Sequence, residues 1–138
     1  APYCLTTVDT IFREKEFSNY IMAFNDAMEA YSADGLMAVT DYIDDEKPLY
    51  VDTDGAMTIT GFLDHSGSCR YISGGIYGLS PRSIATLRAC IERGESRMRN
   101  FQRAMVADGL HLEAFPFSKI LDIDHKSDIG KAEEFLRV

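Results

Sequence analysis

Two aspartates follow short apolar runs at widely separated points in the sequence. Asp9 comes directly after the run 5–8, and Asp124 ends the run 120–124. Because ligands bind beyond the carboxyl ends of the strands in an open α/β sheet, both carboxylates could face one pocket. Two carboxylates together with phosphate oxygens are the hard ligands with which proteins hold Mg²⁺. The pattern therefore indicates a shared magnesium site, and the alternative is that each Asp caps a helix or begins a turn.

A glycine-rich run supplies a second group of candidate residues. Positions 70–79 read Arg-Tyr-Ile-Ser-Gly-Gly-Ile-Tyr-Gly-Leu, which is typical of a strand. Glycine inside a strand marks a place where a backbone or a ligand comes close, and here Gly74 and Gly75 are adjacent. The run therefore predicts a strand with a close approach at this pair.

The surrounding elements alternate between strands and helices. Apolar residues recur with a 3.6-residue period from Phe17 to Tyr31, which predicts an amphipathic helix ending at Asp34-Gly35. Strand formers dominate 1–8 and 36–40, so strand, helix and strand form a βαβ unit.

A hairpin is predicted next. Asp54-Gly55 separates two β-prone runs, 49–51 and 57–62, and this dipeptide is the strongest short-range hairpin signal. We expect an arm that projects beside the sheet.

Alternating apolar and polar residues then predict a further strand over 110–115.

Helices follow the glycine strand. Ser80 is predicted as an N-cap with Pro81 at the first helical position, and Gly94 is expected to break this helix into two pieces. A closing helix is predicted from Ser127. The expected buried face of the first piece contains Ile84, Leu87 and Ile91.

Composition limits the class of protein. The 138 residues are 46% hydrophobic, so one core and a single domain over 1–138 are expected. A net charge of −8 repels phosphate backbones, so we expect no nucleic-acid partner. No apolar run approaches the roughly 18 residues of a membrane span. Three cysteines without a CxxC pair and the lack of a signal peptide predict a cytoplasmic protein.

Three segments together resemble the NTP-transferase superfamily, which includes sugar-phosphate nucleotidyltransferases and molybdenum-cofactor-type transferases. They are 7–12 (Thr-Val-Asp-Thr-Ile-Phe), 73–80 (Ser-Gly-Gly-Ile-Tyr-Gly-Leu-Ser) and 122–129 (Asp-Ile-Asp-His-Lys-Ser-Asp-Ile) ahead of the helix 132–136. Their order matches the family over nearly the whole chain. The resemblance implies an α/β fold with a mostly parallel, Rossmann-like (GT-A-like) sheet, one antiparallel strand near the glycine strand, and a β-hairpin arm.

The resemblance also implies a reaction. Members of the family transfer a nucleoside monophosphate from a nucleoside triphosphate to a small phosphorylated acceptor, here expected to be a sugar phosphate, and release pyrophosphate. By likeness to the family, Asp9 and Asp124 would be the catalytic residues that hold Mg²⁺. Gly75 and Tyr77 would contact the acceptor, with Gly74 giving further room. The alternative for Tyr77 is a core residue, the commoner fate of a strand aromatic.

The sequence departs from the family in two ways. Many sugar-phosphate members carry Glu-Lys-Pro after the second hairpin strand, where this chain has 63–65 (Leu-Asp-His); a Glu-Lys-Pro at 46–48 precedes the hairpin. The Gly-rich loop that grips the triphosphate has no counterpart, so we interpret 1–138 as the C-terminal part of a nucleotidyltransferase domain, inactive alone. The open edge of the first strand would then pair with missing strands or with another copy, which predicts a homo-oligomer.

Two alternatives remain open. The run 122–124 spells Asp-x-Asp, a motif of GT-A-like glycosyltransferases. The absent Gly-rich loop would also suit a non-catalytic regulatory or binding module of the same fold.

Overall fold

A computed structural model of the chain describes residues 2–6, 10–43, 48–95 and 97–122. Within those ranges the chain forms eight strands and three helices, and the predicted closing helix lies outside them. In chain order they are β1 (Tyr3–Thr6), β2 (Thr10–Phe12), α1 (Glu14–Glu29), β3 (Gly35–Thr40), β4 (Tyr50–Thr53), β5 (Ile59–Leu63), β6 (Tyr71–Leu79), α2 (Ser83–Glu92), α3 (Met98–Ala107), β7 (Leu112–Phe117) and β8 (Ile120–Asp122).

Six strands form one sheet around β6. The strand order is β5-β4-β6-β3-β7, and β1 also pairs with β6. One edge of β6 binds β3, while β4 and β1 share the other edge, β4 at Tyr71 and Ile72 and β1 at 76–79. The β3–β7 pair is parallel, whereas β1, β3 and β4 are antiparallel to β6. β1, β3, β4 and β7 therefore run in one direction, and β5 and β6 run in the other.

The predicted α/β class is confirmed, with one refinement. The antiparallel member expected near the glycine strand is the glycine strand itself, β6, and it lies at the centre of the sheet. Most strands therefore share a direction although most neighbouring pairs are antiparallel. In the β1-α1-β3 unit the two strands run in the same direction, as predicted, but β6 lies between them.

One face of the sheet is covered by α1. Its Tyr20 and Phe24 side chains are buried, and Phe17 and Met28 pack at the margin. The predicted apolar stripe is therefore confirmed from Phe17 to Met28, whereas Tyr31 is 93% exposed. The Tyr20 hydroxyl donates a hydrogen bond of 2.6 Å to the carbonyl of Leu36, and burial raises the pKa of this hydroxyl. The sheet residues in this cluster are Leu36, Ala38, Ile76 and Phe117, and Ile120 of β8 joins them.

The end of α1 differs from the prediction. The helix stops at Glu29, and the left-handed position after it is taken by Tyr31, with φ of 52°. Gly35 is instead the first residue of β3, where an added Cβ would lie 2.7 Å from Cδ2 of Leu112. The glycine is therefore needed for strand packing rather than for the helix exit.

The opposite face is covered by α2 and α3. Phe101 and Met105 of α3 are buried in the core cluster, and the Gln102 side-chain amide donates to Oγ of Ser73 at 2.9 Å. The predicted break between two helical pieces is confirmed, since Gly94 has φ of 77° and follows the end of α2. No helix within the described ranges is both long and apolar enough to cross a membrane.

The start and the buried face of α2 were predicted wrongly. The helix begins at Ser83, and Ser80 lies before it without capping it. Ser83, Thr86 and Cys90 are its buried residues. Of the predicted face, Leu87 is half-buried and packs against the core, while Ile84 is 37% and Ile91 65% exposed. The Thr86 hydroxyl donates to the Asp108 carboxylate, just after α3, at 2.6 Å. This hydrogen bond holds the side of α2 that contains Thr86 toward α3. The spacing of apolar residues alone could not predict that orientation.

The predicted hairpin is present as β4 and β5. The Asp54 carboxylate accepts hydrogen bonds from the N–H groups of Ala56 and Thr58 at 2.8 and 3.0 Å, and Met57 takes the positive φ of 63°. The Met57 carbonyl accepts from the N–H of Ala114 in β7 at 2.9 Å. The expected projecting arm is therefore wrong, because the tip of the hairpin folds back onto the sheet.

Gly78 should be intolerant of a side chain. An added Cβ there would lie 2.5 Å from the Tyr20 hydroxyl and 2.6 Å from Cδ1 of Phe24, both on buried rings. We expect Gly78→Ala to lower the free energy of unfolding by about 1–3 kcal/mol through overpacking. Chemical denaturation would measure it. Gly61→Ala in β5 is the control, since no atom lies within 4 Å of its added Cβ. Equal midpoints for the two variants would contradict this account of α1 packing.

Candidate active site

The strands next to the two predicted carboxylates in the sequence pair in a two-stranded ribbon. β2 pairs antiparallel with β8, and Thr10 lies opposite Asp122. Thr10 follows Asp9 in the sequence, and Asp122 precedes Asp124 by two residues. Asp9 and Asp124 themselves lie outside the described residues. The ladder therefore establishes that their flanking segments are neighbours, although they are more than 100 residues apart in the chain.

The ribbon rests on the α1 face of the sheet. Ile120 of β8 is 8% exposed and packs over Gly74, where an added Cβ would overlap its Cδ1 atom. The ring of Phe12 in β2 stacks on Phe17 of α1, with 4.8 Å between centroids. The close approach predicted at Gly74 is therefore real, and the group that approaches is a side chain of this chain.

The glycine strand is irregular beside this contact. Met37 of β3 pairs with Tyr77, but Val39 pairs with Ser73, so three residues of β6 face a single residue of β3. Gly75 lies in this bulge with φ of 78°, a conformation that favours glycine. Bulges are over-represented next to active sites, where they re-aim a strand. Of the three predicted acceptor contacts, Gly75 is therefore the one that lies in a bulge with a positive φ.

Tyr77 and Gly74 are directed to opposite faces of the sheet. Tyr77 is 6% exposed and belongs to the core cluster under α2 and α3, whereas Gly74 faces Ile120 on the α1 side. The structure therefore does not bring the two into one side-chain site. Acceptor contacts at Gly74, Gly75 and Tyr77 stay a prediction, and the burial of Tyr77 favours the alternative of a core residue.

A polar network fixes the corner between β7 and β8. The Glu16 carboxylate accepts hydrogen bonds from the N–H of Ser118 at 2.7 Å and from its hydroxyl at 2.8 Å. The Arg13 guanidinium donates to the same hydroxyl at 2.8 Å, and the Thr40 hydroxyl donates to the Ser118 carbonyl at 3.4 Å. Ser118 is thereby tied to the start of α1 and to the end of β3. No sequence pattern predicts this network, because Glu16 and Ser118 are 102 residues apart.

Charges of both signs line the carboxyl ends of β3 and β7. Arg70 lies 3.3 Å from Asp41, and its guanidinium is 5.2 Å from the centroid of the Tyr71 ring. The Lys119 ammonium lies 5.0 Å from the centroid of the Tyr42 ring. This edge is where ligands bind in open α/β sheets, and its cations are suited to a phosphorylated ligand. Within the described part of the chain, no group of three or more His, Cys, Asp and Glu side chains is placed to hold a metal.

The position after β5, where the family resemblance would imply Glu-Lys-Pro, forms ion pairs with α3. The Asp64 carboxylate accepts a hydrogen bond from Arg103 at 2.8 Å and another from Arg99 at 3.3 Å. The hydrogen bond from Arg103 lowers the pKa of Asp64. This segment therefore anchors the end of β5 to α3.

The fold is that of the sugar-phosphate nucleotidyltransferases. The chain superposes on glucose-1-phosphate thymidylyltransferase from Bacillus anthracis, solved in complex with sucrose, with a TM-score of 0.77 and 15% identity over 99% of this chain and 55% of that one. For inositol-1-phosphate CTP transferase from T. maritima the TM-score is 0.72 and the identity 16%, over 99% of this chain and 55% of that one. For apo UDP-glucose pyrophosphorylase the TM-score is 0.75 and the identity 13%, over 99% of this chain and 54% of that one.

These likenesses define the fold of the chain. The NTP-transferase-like fold implied by the sequence motifs is confirmed. The chain spans about 55% of the length of the first two of these solved structures. No protein-family model and no curated protein matches the sequence.

The two hydrogen bonds from Ser118 to Glu16 are predicted to stabilise the corner before β8. We expect Glu16→Ala to lower the free energy of unfolding by about 1 kcal/mol, because two hydrogen bonds to Ser118 are lost. Exchange of the Ser118 amide hydrogen should accelerate, which NMR would measure. Glu14→Ala is the matched control, since Glu14 is exposed in the same first turn of α1. Equal amide exchange rates in the two variants would show that Glu16 does not hold this corner.

Proposed function

We propose that the intact protein containing this chain is a nucleotidyltransferase. It transfers a nucleoside monophosphate from a nucleoside triphosphate to a small phosphorylated acceptor, a sugar phosphate, and releases pyrophosphate. The proposal is supported by the fold shared with three solved structures whose names describe transfer or pyrophosphorylase activity on such compounds. The observation that supports it in this chain is the β2–β8 ladder, which pairs the strand that follows Asp9 with the strand that precedes Asp124.

Asp9 and Asp124 are the proposed ligands of Mg²⁺. Their carboxylates supply hard oxygen donors, which fit this ion, and the pairing of Thr10 with Asp122 supports a shared site. When bound, the ion would neutralise charge on the phosphoryl oxygens. The protein's own contribution is to hold both carboxylates in place through the seated ribbon.

The acceptor is proposed to lie at the carboxyl edge of the sheet. An oxygen of its phosphate attacks the α-phosphorus, the bond between the α-phosphorus and the bridging oxygen breaks, and pyrophosphate leaves. Of the predicted acceptor contacts Gly74, Gly75 and Tyr77, we propose Gly75, which lies in the bulge; Ile120 covers Gly74, and Tyr77 is buried on the other face of the sheet. Arg70 and Lys119 are the described cations that could pair with the acceptor phosphate as it reacts.

Triphosphate binding requires more than the residues described above. The sequence has no counterpart of the Gly-rich loop, so we expect the 138-residue chain to show no turnover by itself. The assay therefore uses the intact parent protein.

The carboxylate assignment predicts a loss of activity on substitution. We expect Asp9→Ala and Asp124→Ala each to lower kcat for pyrophosphate release by about 100-fold or more. Each substitution removes one proposed Mg²⁺ ligand, and the ion's stabilisation of charge on the phosphoryl oxygens is worth several kcal/mol. Pyrophosphate release with candidate sugar phosphates would be followed in a coupled assay. Asp26→Ala is the control, because it removes one exposed carboxylate from α1.

The assay also separates the alternatives. Full turnover in both Asp variants would overturn the metal assignment. Sugar transfer from a nucleotide sugar without pyrophosphate would instead indicate a glycosyltransferase, and ligand binding without any turnover would indicate a regulatory module.

A further inference from the structure

A buried amide of α3 contacts the glycine strand at the start of its bulge. The Gln102 side chain is 2% exposed, and its Nε2 group donates a hydrogen bond of 2.9 Å to Oγ of Ser73. The other buried residues of α3, Phe101 and Met105, are apolar and belong to the core cluster. Gln102 is therefore the polar member of a buried helix face, and its partner lies in β6.

Ser73 is the last residue of β6 before the bulge. It pairs with Val39 of β3 on one edge, and on the other its N–H donates to the carbonyl of Leu49, just before β4, at 2.9 Å. Its side chain adds a third contact, to Gln102 on the face covered by α3. Ser73 is thereby fixed on both strand edges and on one face, whereas the two glycines that follow it belong to the bulge.

The start of the bulge is held from both faces of the sheet. Gln102 contacts Ser73 from the α3 side, and Ile120 of β8 covers Gly74 from the α1 side. Gly75 follows directly with φ of 78°, and a glycine can offer a ligand only its backbone groups. Because glycine has wide conformational freedom, the direction of these groups depends on the residues that anchor the strand beside it.

We propose that Gln102 is a positioning residue for the acceptor. Its hydrogen bond to Ser73 fixes the start of the bulge and so directs the backbone of Gly75 toward the phosphorylated acceptor. This role rests on the proposed function, because Gly75 is the acceptor contact proposed there. An apolar side chain at position 102 would fill similar space without fixing a direction, whereas a buried hydrogen bond is directional and costly to leave unmade.

Steady-state kinetics of the intact protein test this role. Gln102→Met has a side chain of similar volume but removes the donor. We expect it to lower kcat/KM for the sugar phosphate by about tenfold, since small displacements of binding groups are costly. The change should appear chiefly in KM for the sugar phosphate, while KM for the nucleoside triphosphate stays unchanged.

Phe101→Leu is the matched control. Phe101 is the neighbouring buried residue of α3 and belongs to the apolar core cluster. Its truncation should lower the free energy of unfolding and leave both KM values unchanged. A raised KM for the sugar phosphate in this control would show that any loss of core packing disturbs the acceptor site, against a specific role of Gln102.

A double substitution separates positioning from stability. Ser73→Ala leaves the buried Gln102 amide without this acceptor and should lower the midpoint of unfolding. Adding Gln102→Met makes both partners apolar, so the midpoint should recover toward that of the wild type. KM for the sugar phosphate should stay raised in the double variant, because the directional contact is still missing. If KM recovers together with the midpoint, Gln102 contributes only to the stability of the core.

Hydrogen exchange gives a readout that does not depend on catalysis. The Ser73 amide hydrogen, bonded to the Leu49 carbonyl, should exchange faster relative to the other amides of β6 in Gln102→Met but not in Phe101→Leu. NMR of the intact protein would measure these rates. An unchanged relative rate in Gln102→Met would show that the hydrogen bond does not hold the start of the bulge.

The kinetic results distinguish failure of this role from failure of the proposed function. Pyrophosphate release with an unchanged KM for the sugar phosphate in Gln102→Met would remove the positioning role and leave the activity in place. No pyrophosphate release from the wild type with any sugar phosphate would remove the proposed function, and the acceptor role with it, even if the Ser73 amide responds as expected.

Discussion

The packing of α1 and β8 directly against β6 is the constraint on which the rest of the structure depends. Two glycines make it possible. Gly78 leaves room for the Tyr20 and Phe24 rings, and Gly74 leaves room for the Ile120 side chain. Once α1 is seated, its first turn brings Glu16 to Ser118, and this contact fixes the corner from which β8 begins. Close packing of this kind tolerates few changes of volume, so each step limits the next.

The same contacts, from α1 through Ser118 to β8, position the strands beside the proposed active site. β8 is held at its start by the Ser118 corner and along its length by pairing with β2. A site built from one strand alone would depend on that strand's own rigidity. Here two segments more than 100 residues apart support each other and rest on the central strand. Catalysis by positioning requires such support, because small displacements of catalytic groups are costly.

Sequence patterns predicted the features that depend on local chemistry. The apolar stripe of α1, the Asp54 hairpin and the break at Gly94 all follow from residues close together in the chain. The patterns failed where a distant contact decided the outcome: α2 is turned by the Thr86–Asp108 hydrogen bond, and the hairpin tip is drawn back to β7. For the site, Asp9 and Asp124 stay a prediction that rests on their strand ends and on family likeness. The role of Ser118 could not be predicted, because its partners are far away in sequence.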